Sequence, residues 1–167
     1  MNFTKLHYQN KPLLIANVWD ADSAMIAQQV GYQALGTSSA AIAATLGYED
    51  GEAMSFDELL YIVSRIKSIS DLPLSVDVEA GFGRTANEIT TNLKRLSQLG
   101  VVGINLEYSK VINGIRQLFD KLGELGVNRI SMGNFIHSAI QSKLKDLMLN
   151  IKSQQSFSGV FTHESYR

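Results

Sequence analysis

Two acidic side chains interrupt an apolar segment of the sequence, "SVDVEAGFG" at residues 75–83. Asp77 and Glu79 are two positions apart, so their carboxylates would lie on the same face of a strand. Two like charges buried side by side are unfavourable unless a cation lies between them. The glycines that follow, Gly81 and Gly83, would give the backbone room for a bound ligand. The spacing therefore indicates a cation-binding site at the end of a strand.

Segments typical of strands and of helices alternate along the chain. Short apolar runs predict strands at 13–18, 34–38, 74–79, 101–107 and 127–131. Capping residues and apolar periodicity predict helices at about 22–31, 55–69, 85–100, 109–124 and 134–151. This alternation predicts an α/β fold, with a parallel sheet covered by helices. No segment resembles a linker, so we predict one domain over 1–152 and a polar tail over 153–167.

Polar residues gather where the predicted strands end, which is the edge where parallel α/β folds bind ligands. They are Asn17, Asp20, Ser38, Ser39, Asp77, Glu79 and Glu107, with Asp50 added by a loop. Several oxygen ligands of this kind suit Mg²⁺, with Mn²⁺ as an alternative ion. No histidine lies at a strand end, which argues against zinc or a facial iron triad. Two alternatives are that Asp77 and Glu79 accept hydrogen bonds from loop amides, or that Glu79 pairs with Arg84.

The segment "GTSSAA" at 36–41 places small residues and hydroxyls after the second predicted strand. Backbone N–H groups of Ser38, Ser39 and Ala40 could hold a carboxylate or an oxyanion there. The alternative is a plain tight turn between strand and loop. Trp19 could form the wall of a pocket, or it could belong to the core.

Composition excludes several classes of protein. The 167 residues carry 15 basic and 16 acidic side chains, so no general attraction to nucleic acid or to a membrane surface follows. The sequence contains no cysteine, which excludes disulfides and thiolate chemistry and fits a cytoplasmic protein. The beginning of the chain lacks the pattern of a signal peptide, and no apolar run is long enough to span a membrane.

Four segments together resemble the isocitrate lyase/phosphoenolpyruvate mutase superfamily, in particular its carboxyvinyl-carboxyphosphonate phosphorylmutase-like branch. They are "NVWDADSAMIAQQVGYQALGTSSAAIAATLGYEDGE", "LPLSVDVEAGFG", "GVVGINLEYS" and "LGVNRISMG". The resemblance runs from about residue 12 to 140. It implies a TIM-type (β/α)8 barrel that binds Mg²⁺ with a small α-oxo carboxylate or a phosphonate. It also implies breakage or rearrangement of C–C or P–C bonds through an enolate-like pyruvyl intermediate.

The resemblance implies separate roles for the candidate site residues. By position, Asp77 resembles the acid that contacts Mg²⁺ directly. Three further acids resemble those that hold the ion through water, namely Asp50, Glu79 and Glu107. The remaining matches are to substrate-binding positions, namely Trp19, Asp20, Ser38, Ser39 and Ala40.

The chain is shorter than such a barrel, which takes about 250 residues. After the fourth strand the sequence passes, near 116–119, into a segment that resembles the family's eighth strand, so strands five to seven are missing. A substrate-binding arginine and most of a gating loop are lost with them. The expected fold is a truncated, TIM-barrel-derived sheet of about five parallel strands, in the order 4-3-2-1-8.

Two functions are compatible with this sequence. The first is a Mg²⁺-dependent lyase or mutase that acts on a small α-oxo acid. The second is a truncated, inactive relative that persists as a folded oligomer or a weak ligand-binding protein. The open edges of the sheet invite pairing with another chain. We therefore expect a homo-oligomer, formed by edge pairing or by exchange of the C-terminal helix.

Overall fold

The computed structural model describes residues 3–9, 13–106, 109–112, 115–118 and 129–156. Its helices are α1 (Phe3–Leu6), α2 (Ala21–Gln29), α3 (Ser39–Leu46), α4 (Phe56–Ile69), α5 (Ala86–Gln98) and α6 (Phe135–Gln154). Its strands are β1 (Leu13–Val18), β2 (Leu35–Thr37), β3 (Leu74–Asp77), β4 (Gly103–Asn105), β5 (Ser109–Ile112), β6 (Ile115–Leu118) and β7 (Arg129–Ser131).

Five of the strands form one parallel sheet, in the order β4-β3-β2-β1-β7. This confirms the α/β class and the predicted strand order, with β7 in the place of the family's eighth strand. Parallel neighbours need a crossover, and helices α2, α4 and α5 lie in the connections between consecutive strands β1 to β4. The carboxyl ends of all five strands therefore meet at one edge of the sheet.

The two faces of the sheet differ in chemistry because side chains alternate along each strand. One face packs against the helices in the main apolar core, which includes Val18, Leu35 and Val76 from the strands and Leu59 and Ile66 from α4. On the other face, a smaller cluster near the amino ends of the strands contains Leu6, Leu13, Ile15 and Ala34, with Phe3 of α1 packed against it.

The helix predicted at 109–124 is wrong in its described part. Residues 109–112 and 115–118 form the two strands β5 and β6 of an antiparallel hairpin. The sequence places Asn113 and Gly114 between them, a pair typical of two-residue hairpin turns. Residues 119–128 lie outside the described part of the chain.

Two helices were not predicted from periodicity. Helix α1 is a single turn, and α3 has the sequence "SAAIAATL", which is apolar all round and therefore shows no amphipathic period. Ser39, Ala41, Ile42 and Ala43 of α3 are buried, so packing against the core stabilises this helix. Burial of this kind removes the signal by which helices are recognised in a sequence.

The chain divides into two compact units, Met1–Gly133 and Asn134–Arg167. The second contains α6, which ends at Gln154 rather than at the predicted 151. This helix exposes several large apolar side chains, namely Phe135, Ile136, Ile140, Leu144, Met148 and Leu149. Its exchange between two copies stays a prediction, as does the boundary of the polar tail. Among the described helices, none has the length and apolar character needed to cross a membrane.

Capping boxes start the two longest helices of the first unit, as the sequence predicts. At α4, Ser55 donates its N–H and its hydroxyl to the Glu58 carboxylate, at 2.8 and 2.7 Å. At α5, the N–H groups of Arg84 and Thr85 donate to the Glu88 carboxylate, at 2.8 and 2.9 Å. These backbone donors are the main reason why the pKa of each glutamate lies below its usual value of 4.5.

The lowered pKa values predict a loss of stability in acid. A carboxylate with a lowered folded-state pKa stabilises the protein above its unfolded-state pKa, and this contribution disappears as the pH falls through the folded-state pKa. We expect the urea midpoint of the Glu58→Gln/Glu88→Gln double variant to fall less steeply below about pH 4.5 than that of the unmutated protein. Glutamine keeps the capping geometry without the titration. Glu49→Gln/Asp71→Asn, which also removes two exposed carboxylates, is a charge-matched control. Parallel curves for the Glu58→Gln/Glu88→Gln variant and the unmutated protein would contradict this assignment.

Candidate active site

A cleft of about 200 Å³ lies at the carboxyl ends of the strands, on the face of the sheet opposite the main apolar core. Its lining residues come from all five strands of the sheet and from the segments that follow strands β2 and β7. They are Ile15, Asn17, Gly36, Thr37, Ser38, Ser75, Asp77, Asn105, Ser131 and Gly133. The strand register places several of them directly side by side, Asn17 with Gly36 and Asp77 with Asn105. The cleft therefore forms because parallel strands end at the same edge of the sheet and because alternate side chains of each strand lie on the same face.

Asp77 is the carboxylate of this cleft, and three hydrogen bonds fix its position. Its backbone N–H donates to Thr37 Oγ1 at 2.8 Å. The Ser39 hydroxyl donates to Asp77 Oδ2 at 2.8 Å, and the N–H of Glu79 donates to Asp77 Oδ1 at 3.3 Å. Asp77 therefore does accept a loop amide, which was one of the alternatives considered for this acid. Each carboxylate oxygen can accept further hydrogen bonds or a metal, because it has two acceptor sites.

Asn17 ties three parts of the cleft together. Its side-chain nitrogen donates to the Thr37 carbonyl at 3.3 Å, and its side-chain oxygen accepts the N–H of Met132 at 2.7 Å. These bonds connect the end of β1 to the end of β2 and to the segment after β7. The sequence marked Asn17 as a polar strand-end residue without a role, and the structure gives it a bridging one.

The "GTSSAA" segment forms the start of helix α3 instead of a plain turn. Ser38 is the N-cap, and its hydroxyl accepts the N–H of Ala41 at 3.3 Å. Helix geometry leaves the N–H groups of Ser39 and Ala40 without an acceptor inside the helix. The amino end of a helix with free N–H groups favours an anion. Because Ser39 also contacts Asp77, these donors lie beside the acid of the cleft.

The other predicted acids are placed differently. Glu79 is buried, with 5% of its surface exposed, and has a left-handed backbone with φ of 48°. Asp50 is exposed in the loop between α3 and α4, and Glu107 lies outside the described residues. Within the described ranges, no three histidine, aspartate or glutamate side chains lie close enough together to hold a metal ion. The direct and water-mediated roles of these acids stay predictions.

Trp19 and Asp20 belong to the main apolar core and to a helix cap, respectively. Asp20 is the N-cap of α2, and its Oδ1 accepts the N–H and the hydroxyl of Ser23, both at 2.7 Å. Neither residue is among those that line the cleft. Their part in substrate binding stays a prediction.

Asn105, Glu52 and Asn92 are among the residues around the site that sequence reasoning missed. Asn105 lines the cleft, and its register opposite Asp77 would have revealed it once β4 was aligned with β3. Glu52 and Asn92 hold the turn that follows β3, through hydrogen bonds to its backbone. These contacts join positions at least ten residues apart, so no local pattern in the sequence indicates them.

The glycines of "SVDVEAGFG" have a different reason from the one that the sequence suggested. A Cβ atom on Gly81 would lie 2.8 Å from Ile89 Cγ2, and one on Gly83 would lie 2.9 Å from Glu88 Cβ. Both neighbours belong to helix α5. The glycines therefore admit the close approach of α5 to the turn.

The donor set of the cleft fits Mg²⁺ chemically. The lining residues supply one carboxylate, together with hydroxyl and amide groups, and neither histidine nor cysteine. Mg²⁺ usually takes one or two carboxylates, keeps several waters and avoids sulfur ligands. Asp77 would be the direct ligand of the ion, and the surrounding oxygen atoms could accept hydrogen bonds from the waters that Mg²⁺ keeps.

Comparison with known proteins gives consistent matches. The family profile described as "Phosphoenolpyruvate phosphomutase" matches residues 3–120. The chain is 29% identical to 2-methylisocitrate lyase of Escherichia coli over 136 residues, which is 81% of this chain and 45% of that protein. It is 34% identical to oxaloacetate decarboxylase of Paraburkholderia xenovorans over 94 residues, which is 56% of this chain and 31% of that protein.

Solved structures show the same likeness. A Burkholderia cenocepacia protein described as a "putative phosphonomutase" superposes with a TM-score of 0.62 at 37% identity, over 64% of this chain and 43% of the other. The chain thus spans less than half the length of these relatives.

Proposed function

The chain belongs to the phosphoenolpyruvate phosphomutase family, and we propose that it binds Mg²⁺ and a small α-oxo acid in the strand-end cleft, as a lyase or mutase. The observation that carries this proposal is Asp77. Its carboxylate stands in the cleft, held by Ser39 and by the N–H of Glu79, beside the amino end of α3. Asp77 can bind a cation, and the amino end of α3 beside it favours an anion. Together they suit a metal ion that is chelated by a substrate carboxylate.

Each residue of the candidate site has its own proposed role. Asp77 would hold the ion directly, and its hydrogen bonds keep the carboxylate in one orientation. Asp50, Glu79 and Glu107 would accept hydrogen bonds from the waters of the ion. The N–H groups of Ser39 and Ala40 would bind the substrate carboxylate, and Mg²⁺, when bound, would supply Lewis-acid polarisation of the keto oxygen.

The inactive alternative has an observation of its own in favour. The chain covers 45% of 2-methylisocitrate lyase and 43% of the phosphonomutase-like structure, so the segments that complete those proteins are not matched here. A cleft on an open sheet excludes water less well than a closed barrel, and water exclusion strengthens electrostatic stabilisation. Binding without turnover is the signature of this alternative.

Calorimetric titration with oxalate, in the presence and absence of Mg²⁺, tests the proposal. Oxalate mimics the planar enolate of pyruvate and offers two carboxylates to the ion. We expect heat of oxalate binding only when Mg²⁺ is present, because the ion links the ligand to Asp77. The absence of binding in both titrations would contradict the proposal.

A turnover assay then separates the two candidate functions. Pyruvate release from oxaloacetate or from 2-methylisocitrate, dependent on Mg²⁺, supports the lyase. Phosphonates are the matching test of mutase chemistry. Oxalate binding without conversion of any of these compounds supports the inactive relative.

A further inference from the structure

The turn that follows β3 has an unusual backbone. Glu79, Gly81 and Phe82 have φ angles of 48°, 108° and 53°. Left-handed backbone is uncommon for residues other than glycine, and it persists where the surrounding structure holds it. Glu79 is one of the acids assigned to the ion's waters, so whatever holds this turn also sets the position of Glu79.

Two side chains from different parts of the chain hold the turn. Glu52 Oε1 accepts the N–H groups of Ala80 and Phe82, at 3.1 and 2.8 Å. Asn92 Nδ2 donates to the carbonyls of Gly81 and Phe82, at 3.2 and 2.9 Å. One side chain thus binds the turn's donors and the other binds its acceptors, which leaves the backbone little freedom to change conformation.

Glu52 also connects its own loop to the turn, because it belongs to a different segment of the chain. It lies two residues after Asp50, in the loop between α3 and α4. Its own backbone is left-handed, with φ of 63°, and follows Gly51 with φ of 100°. The loop therefore bends so that the Glu52 side chain reaches a turn about 30 residues further along.

We propose that Glu52 is a positioning residue that holds the Asp50 loop against the Glu79 turn and so sets both acids for Mg²⁺ binding. This inference rests on the proposed function. Hydrogen bonds from N–H groups to a carboxylate are shorter and stronger than those to a neutral acceptor, which suits a side chain that must hold two segments together. Glu52 acts through the backbone and need not contact the ion.

Mg²⁺ affinity and amide hydrogen exchange, measured on the same variants of the full chain, test the inference. Glu52→Ala removes both hydrogen bonds, and we expect it to weaken Mg²⁺ binding by about 10- to 100-fold, the usual effect of removing a supporting partner. The amides of Ala80 and Phe82 should exchange about tenfold faster without their acceptor. Glu52→Gln keeps an acceptor oxygen, and its Mg²⁺ affinity should stay within about threefold of the unmutated value.

Glu49→Ala is the matched control, because it removes one exposed carboxylate from the same loop. It should leave both Mg²⁺ affinity and the two amides unchanged. Unchanged affinity in Glu52→Ala, or an equal loss in Glu49→Ala, would overturn the inference while the proposed function stands. If the unmutated protein binds no Mg²⁺, both proposals fall.

Discussion

Asp77→Asn should abolish the Mg²⁺-dependent binding of oxalate. The proposal makes this carboxylate the direct ligand of the ion, and an amide oxygen carries no charge to attract a divalent cation. Partners that only support a metal ligand typically contribute about 10- to 100-fold to affinity. We therefore expect a direct ligand to contribute more than about 100-fold, which calorimetry would record as a loss of measurable heat.

The same substitution should leave the fold intact. The hydrogen bond from Asp77 to Thr37 uses the backbone N–H and does not depend on the side chain. Asparagine keeps one side-chain oxygen for the N–H of Glu79, and the Ser39 hydroxyl can rotate to accept from the new amide. We expect the free energy of unfolding to change by less than about 1 kcal/mol.

Asp71→Asn provides the control for this experiment. Asp71 is exposed and precedes the amino end of β3, so the substitution removes the same charge at the opposite edge of the sheet. Oxalate binding should be unchanged in this variant. If Asp77→Asn binds Mg²⁺ and oxalate as the unmutated protein does, Asp77 is not the ligand.

Much of the sheet could be predicted because its signals are local. The apolar runs of β1 and β3 and the capping boxes at Ser55 and Thr85 depend on residues within a few positions of one another. Parallel pairing then brings the carboxyl ends to one edge without further information. Asp77 was found for this reason, since a polar residue at that edge faces the site.

The hairpin β5–β6 shows where the prediction from apolar periodicity failed. A helix was expected over 109–124, and the Asn–Gly pair within "SKVINGIRQL" was not considered. An Asn–Gly pair between two short segments favours a hairpin. Local turn chemistry was the better guide for this segment.

The contacts of Glu52 could not be predicted for a different reason. A carboxylate that accepts two backbone N–H groups from a distant loop leaves no periodic or compositional trace. Only the folded chain shows that the loop after α3 and the turn after β3 lie together. The left-handed backbone at Glu79 could not be predicted either, because the sequence does not indicate where a non-glycine residue takes a positive φ.

The second large effect is expected for Gly81→Ala. Gly81 is buried with φ of 108°, and a Cβ atom there would lie 2.8 Å from Ile89 Cγ2 and 3.0 Å from Ile89 Cγ1. The variant therefore combines a strained backbone, at about 1–3 kcal/mol, with overpacking of similar size. We expect the free energy of unfolding in urea to fall by about 2–4 kcal/mol, since the two costs partly relax together.

Two further variants separate these costs. Gly47 has φ of 84° with no atom within 4 Å of the position that a Cβ would take, so Gly47→Ala carries the backbone cost alone, about 1–2 kcal/mol. Ile89→Ala in the Gly81→Ala background removes the atoms that collide, and the double-mutant cycle should show a favourable coupling of about 0.5–3 kcal/mol. Equal losses for Gly81→Ala and Gly47→Ala, with no coupling to Ile89, would mean that α5 does not press on the turn. The expected result instead means that the second half of "SVDVEAGFG" packs against helix α5, and that this contact holds the turn directly after Asp77 in place.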